Sequence, residues 1–420
     1  VHPNQYHSGD VMQSERFPKN VIRYTVIAFL VGYFNRELGI SFYQMSTRAS
    51  ELTSFQSHIV TVIGVCIPLL LVYVSGILAD TYGRRLIWAV SLFLYGGGMV
   101  VLGASVPVTS TPVAPFTSFA SILASAILYS FPPALTILSL AWLFDHEGRN
   151  GLKNAHGLLH ILSALAILVG MSITMESFLN FRTKLILTGV IALAAGCLAV
   201  TFPENYGSRS SWKETNKTVV NQFISRRVLH LVVLYSIFMG FPVAVSDSAL
   251  IHFINATVMS DISTASSLQE FFTASYIIFM VVSFCAGILL LFMKKIDYRK
   301  LIVYPMILVV IFYFLLPIVP EVQLYFILDG ARLFGSFLIG IGIIILVNDS
   351  ITENRATALA VLTLLMTIPT MLTIFWNVVL SAVAWEMACV IAGALAVISL
   401  VYLNQAARIS EKDTLYTDND

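Results

Sequence analysis

Long apolar runs separated by short polar or charged stretches recur along the whole chain. Twelve can be marked: about 21–44, 57–79, 87–106, 116–144, 152–175 and 184–202, then 228–253, 268–293, 301–318, 322–347, 356–383 and 386–403. Each holds about 17 residues or more, the length a helix needs to cross a bilayer. The runs are continuous rather than alternating, which excludes a membrane β-barrel. The expected fold is an all-α membrane protein with transmembrane helices one to twelve.

The polar interval 203–227 is the one real break in hydropathy. It divides the chain into an N-terminal six-helix half (1–202), a cytoplasmic linker (203–227) and a C-terminal six-helix half with a cytoplasmic tail (228–420). The halves echo each other. Gly76…Arg84-Arg85-Leu86-Ile87 has a degraded counterpart in Gly287…Arg299-Lys300-Leu301-Ile302, and Glu147-Gly148-Arg149 after helix four is matched by Glu353-Asn354-Arg355 after helix ten. Two pseudo-symmetric halves follow.

Composition agrees with a membrane protein. Of 420 residues, 57% are hydrophobic and 11% charged, where a soluble protein carries about a quarter charged. The net charge of +1 gives no footprint for nucleic acid. The placement of the basic residues says more. With the N-terminus inside, the cytoplasmic side carries nearly all of them, including Arg84, Arg85, Arg149, Lys213, Lys217, Arg226, Arg227, Lys294, Lys295, Arg355 and Arg408. Only Arg48, Arg182 and Lys184 fall outside. This positive-inside bias puts both termini in the cytoplasm of a multi-pass protein of the plasma (cell inner) membrane. Residues 1–20 are polar and do not read as a cleavable signal. Cys66, Cys197, Cys285 and Cys389 fall inside apolar runs and read as small core residues, not as a disulfide framework or metal site.

Between helices two and three lies a tight charged hairpin, Gly76-Ile77-Leu78-Ala79-Asp80-Thr81-Tyr82-Gly83-Arg84-Arg85. Gly76 and Gly83 let the backbones approach and turn, while Asp80, Arg84 and Arg85 mark a membrane face because they cannot stay in hydrocarbon. The stretch resembles the G-x-L-x-D-x-x-G-R-R/K signature of the major facilitator superfamily. That resemblance implies a transporter built from two parallel six-helix repeats. It also implies an inner gate formed by Gly76, Asp80, Gly83, Arg84, Arg85, Asp145, Glu147 and Arg149. Asp80 should face the positive N-terminal end of helix eleven near Ala356, and Arg84 should reach Asp145 or Glu147. The sequence departs from the family pattern at Thr81, where a basic residue is usual, and at Leu291, which replaces the acid in the second half.

A charge at bilayer depth costs about 2.5–3.5 kcal/mol or more, so each one needs a reason. The deep ionisable residues are Arg36 and Glu37 in helix one, Asp247 in helix seven, and Asp329 and Arg332 in helix ten. In the superfamily, helices one, four, seven and ten surround the cavity, and helices three, six, nine and twelve support it. The charges fall on cavity helices and avoid the central spans of the support helices. Tyr33, Arg36, Glu37, Tyr43 and Gln44 share roughly one face of helix one. The region 33–41 resembles the Y-x-D-R-x-x-L-S stretch of organic-anion/cation symporters, which implies an anion-contacting role for Arg36. The acid of that motif does not carry over, because Asn35 stands in its place.

An arginine fork suits a carboxylate or phosphate. Arg36 and Arg332, from opposite halves, are therefore candidate substrate ligands together with Tyr33, Tyr43 and Gln44. The competing reading is local neutralisation, Arg36 by a neighbouring acid and Arg332 by Asp329. A desolvated carboxylate can load and release a proton near neutral pH. Asp247 is the first candidate for proton coupling and Glu37 the second, although Asp247 could simply bond to Ser246 or Ser248. Pro132-Pro133, Gly240, Pro242 and Pro369 break cavity helices, and Thr363, Thr367, Thr370, Thr373 and Asn377 give helix eleven a polar stripe that helix-internal bonding would also explain. His156 and His160 share a face of helix five but have too few companions for a metal site. No P-loop is present, so no ATP, cofactor or enzyme chemistry is expected.

The expected function is secondary active transport of a small polar, anionic organic solute by alternating access, as proton-coupled symport. Protons and the lipid bilayer are the other partners, and a monomer is the expected state. Two alternatives stay open: a proton-driven exporter of drugs or metabolites, and a transporter-like membrane sensor or scaffold that binds without flux.

Overall fold

The computed structural model describes residues 18–31, 54–105, 119–128, 130–172, 181–207, 210–258, 265–319, 322–371 and 383–417. Among them the elements are helical: α1 (19–31), α2 (Ser54–Tyr82), α3 (Arg84–Ser105), α4 (Phe119–Leu128), α5 (Phe131–Ser172), α6 (Phe181–Val200) and α7 (Trp212–Ser225). Then follow α8 (Arg227–Val258), α9 (Ala265–Phe292), α10 (Tyr304–Leu315), α11 (Val322–Ser350), α12 (Arg355–Met371) and α13 (Trp385–Thr417). Every expected membrane run has its helix.

Two boundaries have local causes. Expected helix four is interrupted after Leu128, and the chain restarts at Phe131 with Pro132 and Pro133 next, where proline at a helix start removes no bond. Helices four and five form the two limbs of α5, which meet at Gly148 (φ 61°, ψ −164°). Asn354, its counterpart in the sequence repeat, also has positive φ (51°). Glycine and asparagine are the residues that tolerate this region, so the repeat is legible in the backbone as well as in the letters.

The polar interval is not a plain tether. It contains α7, whose start is a capping box: Ser211 Oγ accepts the Glu214 N–H, and the Glu214 carboxylate accepts the Ser211 N–H. Two Ser211 bonds hold the Glu214 carboxyl below the usual carboxylate range.

Helix α3 packs along α6, α8 along α13, and α10 along α11. Two further pairs join the first half of the sequence to the second: α2 with α12, and α5 with α9. Seven described helices are long and apolar enough to cross a membrane. Their outward faces carry large apolar side chains such as Leu94, Val101, Leu168, Ile327 and Val401, far more than a water-soluble surface tolerates. The protein is a multi-pass integral membrane protein. The cysteines differ from expectation, since only Cys389 is buried. Cys66, Cys197 and Cys285 lie exposed on the outside of the bundle, where lipid solvates a small apolar thiol as well as a core does.

Candidate functional site

The hairpin after α2 builds the best-defined polar site. Asp80, 1% exposed, lies in the last turn of α2 with both carboxylate oxygens occupied. Oδ1 accepts Arg84 Nε at 3.1 Å and Nη2 at 2.8 Å. Oδ2 accepts the backbone N–H and the hydroxyl of Thr357, each at 2.8 Å. Thr357 is in the first turn of α12, so the carboxylate closes an N-terminus whose N–H groups lack helical partners. Gly76 makes the approach possible. A Cβ there would lie 2.8 Å from the Ala356 carbonyl oxygen and 2.9 Å from Ala360 Cβ.

Arg84, 2% exposed, also pairs with Asp145 at the end of the first α5 limb. Asp145 in turn pairs with Arg355, whose guanidinium lies 4.9 Å over the Phe144 ring. The result is a four-member chain, Asp80–Arg84–Asp145–Arg355, that crosses from the first half of the sequence to the second. A buried ion pair must be fully satisfied to be tolerated, and here each carboxylate meets at least two cationic or N–H partners.

The segment after α6 completes the site. Glu204 accepts the backbone N–H groups of Arg85 (2.8 Å) and Leu86 (3.2 Å) and the Arg85 Nε (3.1 Å), so it caps α3. Gly83 (φ 120°) makes room, because a Cβ would sit 2.7 Å from the Glu204 carboxyl carbon. The Asn205 carbonyl accepts the Arg84 N–H, Asn205 Nδ2 donates to Asp145, and the Gly207 N–H donates to the Asp80 carbonyl. Trp142 Nε1 donates to the Pro203 carbonyl, and its ring stacks on Phe202 and His146. Glu147 accepts Asn20 Nδ2 at 2.8 Å and not Arg84. Arg149 lies on the other side of the Gly148 bend, within electrostatic reach of Tyr298 and Asp349. Burial first and the Asp349 charge second push the Tyr298 hydroxyl up, while Arg149 opposes them. Tyr298 donates to Asp349.

Glu204, Asn205, Gly207 and Thr357 have no signal of their own in a single sequence, because each acts through a contact distant in the chain. Gln222 does likewise: its Nε2 donates to the Glu353 carbonyl at 3.1 Å and its Oε1 accepts the Thr352 N–H at 3.3 Å. The capping box that orders Gln222's helix was readable as Ser211-x-x-Glu214.

The deep charges are a different matter. Tyr33, Arg36, Glu37, Tyr43, Gln44, Thr373 and Asn377 lie outside the described residues, as do the side chains of Asp247, Thr367 and Thr370, though the backbones of the last three are helical. Arg332 is described. Its Nε and Nη2 both meet Asp329 Oδ1 at 2.7 Å, and its guanidinium lies 5.2 Å over the Phe312 ring of α10. Of the two readings open in the sequence, this contact is the local one. On the second limb of α5, His160 Nδ1 lies 3.1 Å from Ser283 Oγ and its ring 4.7 Å from Phe337, while His156 is a helical turn away. Among the described residues no three histidine, cysteine or acidic side chains gather as a metal site.

No family model and no curated protein matches the sequence. Solved structures do match in shape. A major facilitator superfamily transporter, FucP, in the outward conformation is 13% identical with a TM-score of 0.68, over 93% of this chain and 99% of that one. The proton:xylose symporter XylE bound to 6-bromo-6-deoxy-D-glucose is 14% identical with a TM-score of 0.63, over 92% and 94%. The human organic anion transporter MFSD10 is 13% identical with a TM-score of 0.62, over 92% and 100%. The chain has the major facilitator fold.

Proposed function

We propose that the protein is a secondary active transporter that moves a small polar solute by alternating access. The observation that carries this reading is the buried Asp80 carboxylate, which ties the end of α2 to the first turn of α12. Such a contact can be made and broken as two bodies rock, and a solute shifts that balance by contacting the two states differently. The units remain the two six-helix halves, 1–202 and 228–420, joined by 203–227. The termini are cytoplasmic in the plasma membrane, and the working unit is a monomer.

In this reading the solute is an anion held by Arg36 and Arg332 with Tyr33, Tyr43 and Gln44, and Asp247 or Glu37 carries the coupling proton. Similarity in fold to a xylose symporter, a fucose symporter and an organic anion transporter supports a polar solute. Since Asp329 already occupies two donors of Arg332, an anionic solute would have to replace Asp329 there.

Proteoliposome uptake with a panel of carboxylates, phosphates and hexoses tests the whole reading. Concentrative uptake of a carboxylate, rising as external pH falls and collapsing with an uncoupler, is expected. Arg36→Lys and Arg332→Lys should each weaken that solute's binding about tenfold or more without lowering the stability of the empty protein, because lysine keeps the charge and loses the fork. Uptake of neutral hexoses alone would remove the anion clamp. Saturable binding without flux would leave a sensor or scaffold.

A further inference from the structure

Helix α7 presents three stripes with different chemistry. Thr215, Val219 and Gln222 are buried against the bundle. Glu214, Thr218, Asn221 and Ser225 form a polar stripe. Lys213, Lys217, Val220 and Ile224, spaced i, i+4, i+7 and i+11, form a third that mixes cationic and apolar side chains. None of the described residues covers this third stripe: Val220 is 52% and Ile224 68% exposed. Arg226 and Arg227 extend its charge at the C-terminal end and are exposed too.

Trp212 ties the start of the helix to α2. Its ring packs edge-on against Tyr73 of α2 at 6.1 Å, yet 46% of the residue remains exposed. Tyr73 precedes Asp80 by seven residues, or about 10 Å along a helix. The half-exposed indole therefore reaches α2 about 10 Å beyond the gate aspartate, a placement that suits the tryptophans of a bilayer interface. Lysines beside exposed aliphatic side chains complete the pattern, because their stems lie along apolar surface while their ammonium groups reach phosphate oxygens.

We propose that Trp212, Lys213, Lys217, Val220 and Ile224 form a lipid-binding surface that seats α7 in the headgroup layer of the cytoplasmic leaflet and takes anionic headgroups. The bilayer is the occupant because the stripe combines cationic with exposed aliphatic side chains, and because the half-exposed Trp212 at the same end of the helix reaches α2 beyond the gate. From the opposite stripe, Gln222 grips the loop that leads to Arg355 and Thr357. Lipid bound on one face of α7 thus steadies the gate on the other.

The test uses the full chain in nanodiscs of phosphatidylcholine with or without phosphatidylglycerol. Amide exchange across 212–225 should slow when phosphatidylglycerol is present, and native mass spectra should show it retained in preference to phosphatidylcholine. Lys213→Gln with Lys217→Gln should lower that preference roughly 30-fold, from ~1 kcal/mol for each lysine near an anionic surface. Asn221→Lys, on the polar stripe, should leave it unchanged. Equal exchange in both nanodiscs, an undiminished preference in the double variant, or the same protection from inorganic phosphate without acidic lipid would each overturn the proposal.

Discussion

Two of the contacts between the sequence halves, α2 with α12 and α5 with α9, occupy equivalent places in the repeat, yet they use opposite charges. Where α2 meets α12, an acid at the end of one helix accepts from the start of the other: Asp80 from Thr357. Where α9 meets α5, Leu291 replaces the acid and packs over Gly157, and a Gly157 Cβ would lie 3.1 Å from the Gly287 carbonyl. There the polar tie runs the other way, because buried Lys153 of α5 donates to the Met293 carbonyl at the end of α9. An acid suits helix N-termini and a base suits helix C-termini. Each solution satisfies one helix end, so a mutated motif copy need not mean a lost contact. The bends behind them also correspond: Arg355, after Asn354, pairs with Asp145, and Arg149, after Gly148, lies near Asp349.

The comparison breaks most sharply at the acid. Asp80→Asn keeps the shape but leaves Arg84 short of a buried counter-charge, a loss of about 3–5 kcal/mol when such a pair is broken. Transport should fall to background with normal expression, and cysteines placed along α2 and α12 should become more accessible from the side of the membrane that carries the hairpin. Wild-type flux would remove Asp80 from the cycle.

A steric challenge comes next. Gly76→Val forces a side chain into the Ala356 backbone and should weaken the α2–α12 contact by about 1–3 kcal/mol. Gly157→Val should do the same to the α5–α9 contact. Thermal unfolding of both in detergent would show whether the apolar interface is as tightly packed as the charged one. A Gly157→Val protein as stable as the parent would mean that Leu291 simply moves aside.

Lys153→Met keeps most of the stem and removes the charge. Because a cation at a helix C-terminus contributes at most about 2 kcal/mol, its effect should be clearly smaller than that of Asp80→Asn. Equal losses in transport and stability would make the two ties equivalent after all.

Ser211→Ala should be the mildest change, about 1 kcal/mol of local helix stability, read as faster amide exchange in α7. The pH dependence has a definite sign. The Glu214 carboxyl titrates lower when folded, so its contribution is present above the unfolded value of 4.5 and is lost as pH falls through the folded one. Protection of α7 in the parent should therefore fall in acid, and Ser211→Ala, which keeps only the backbone N–H bond to Glu214, should weaken that dependence.

Hydropathy made the membrane runs legible because a bilayer demands long continuous apolar segments, and Gly76, Asp80, Gly83 and Arg84 were legible because their chemistry is packed into one hairpin. The pairing of Arg85 with Glu204 and of Asp145 with Arg355 was not, since these residues meet only after the chain has folded back on itself. Nor did the polar character of 203–227 reveal that its first residues plug the hairpin and its helix grips the loop 351–354. A hydropathy trace records how polar a segment is, and the partners that satisfy it lie elsewhere in the chain. Arg332 shows the reverse limit. Its depth pointed to a ligand, while Asp329, three residues earlier, was near enough to take two of its donors.

Asp80 also carries a history of the chain's making. Its first partner, Arg84, emerges from the ribosome four residues after it, so the carboxylate is neutralised almost as soon as it exists. The next is Gly207, whose N–H reaches the Asp80 carbonyl once six membrane runs have been threaded. Thr357 comes 277 residues after Asp80, when all but the last of the membrane runs have begun. Between those moments the nascent protein holds a finished hairpin with one carboxylate oxygen still waiting, and the birth of the eleventh helix is what completes the second.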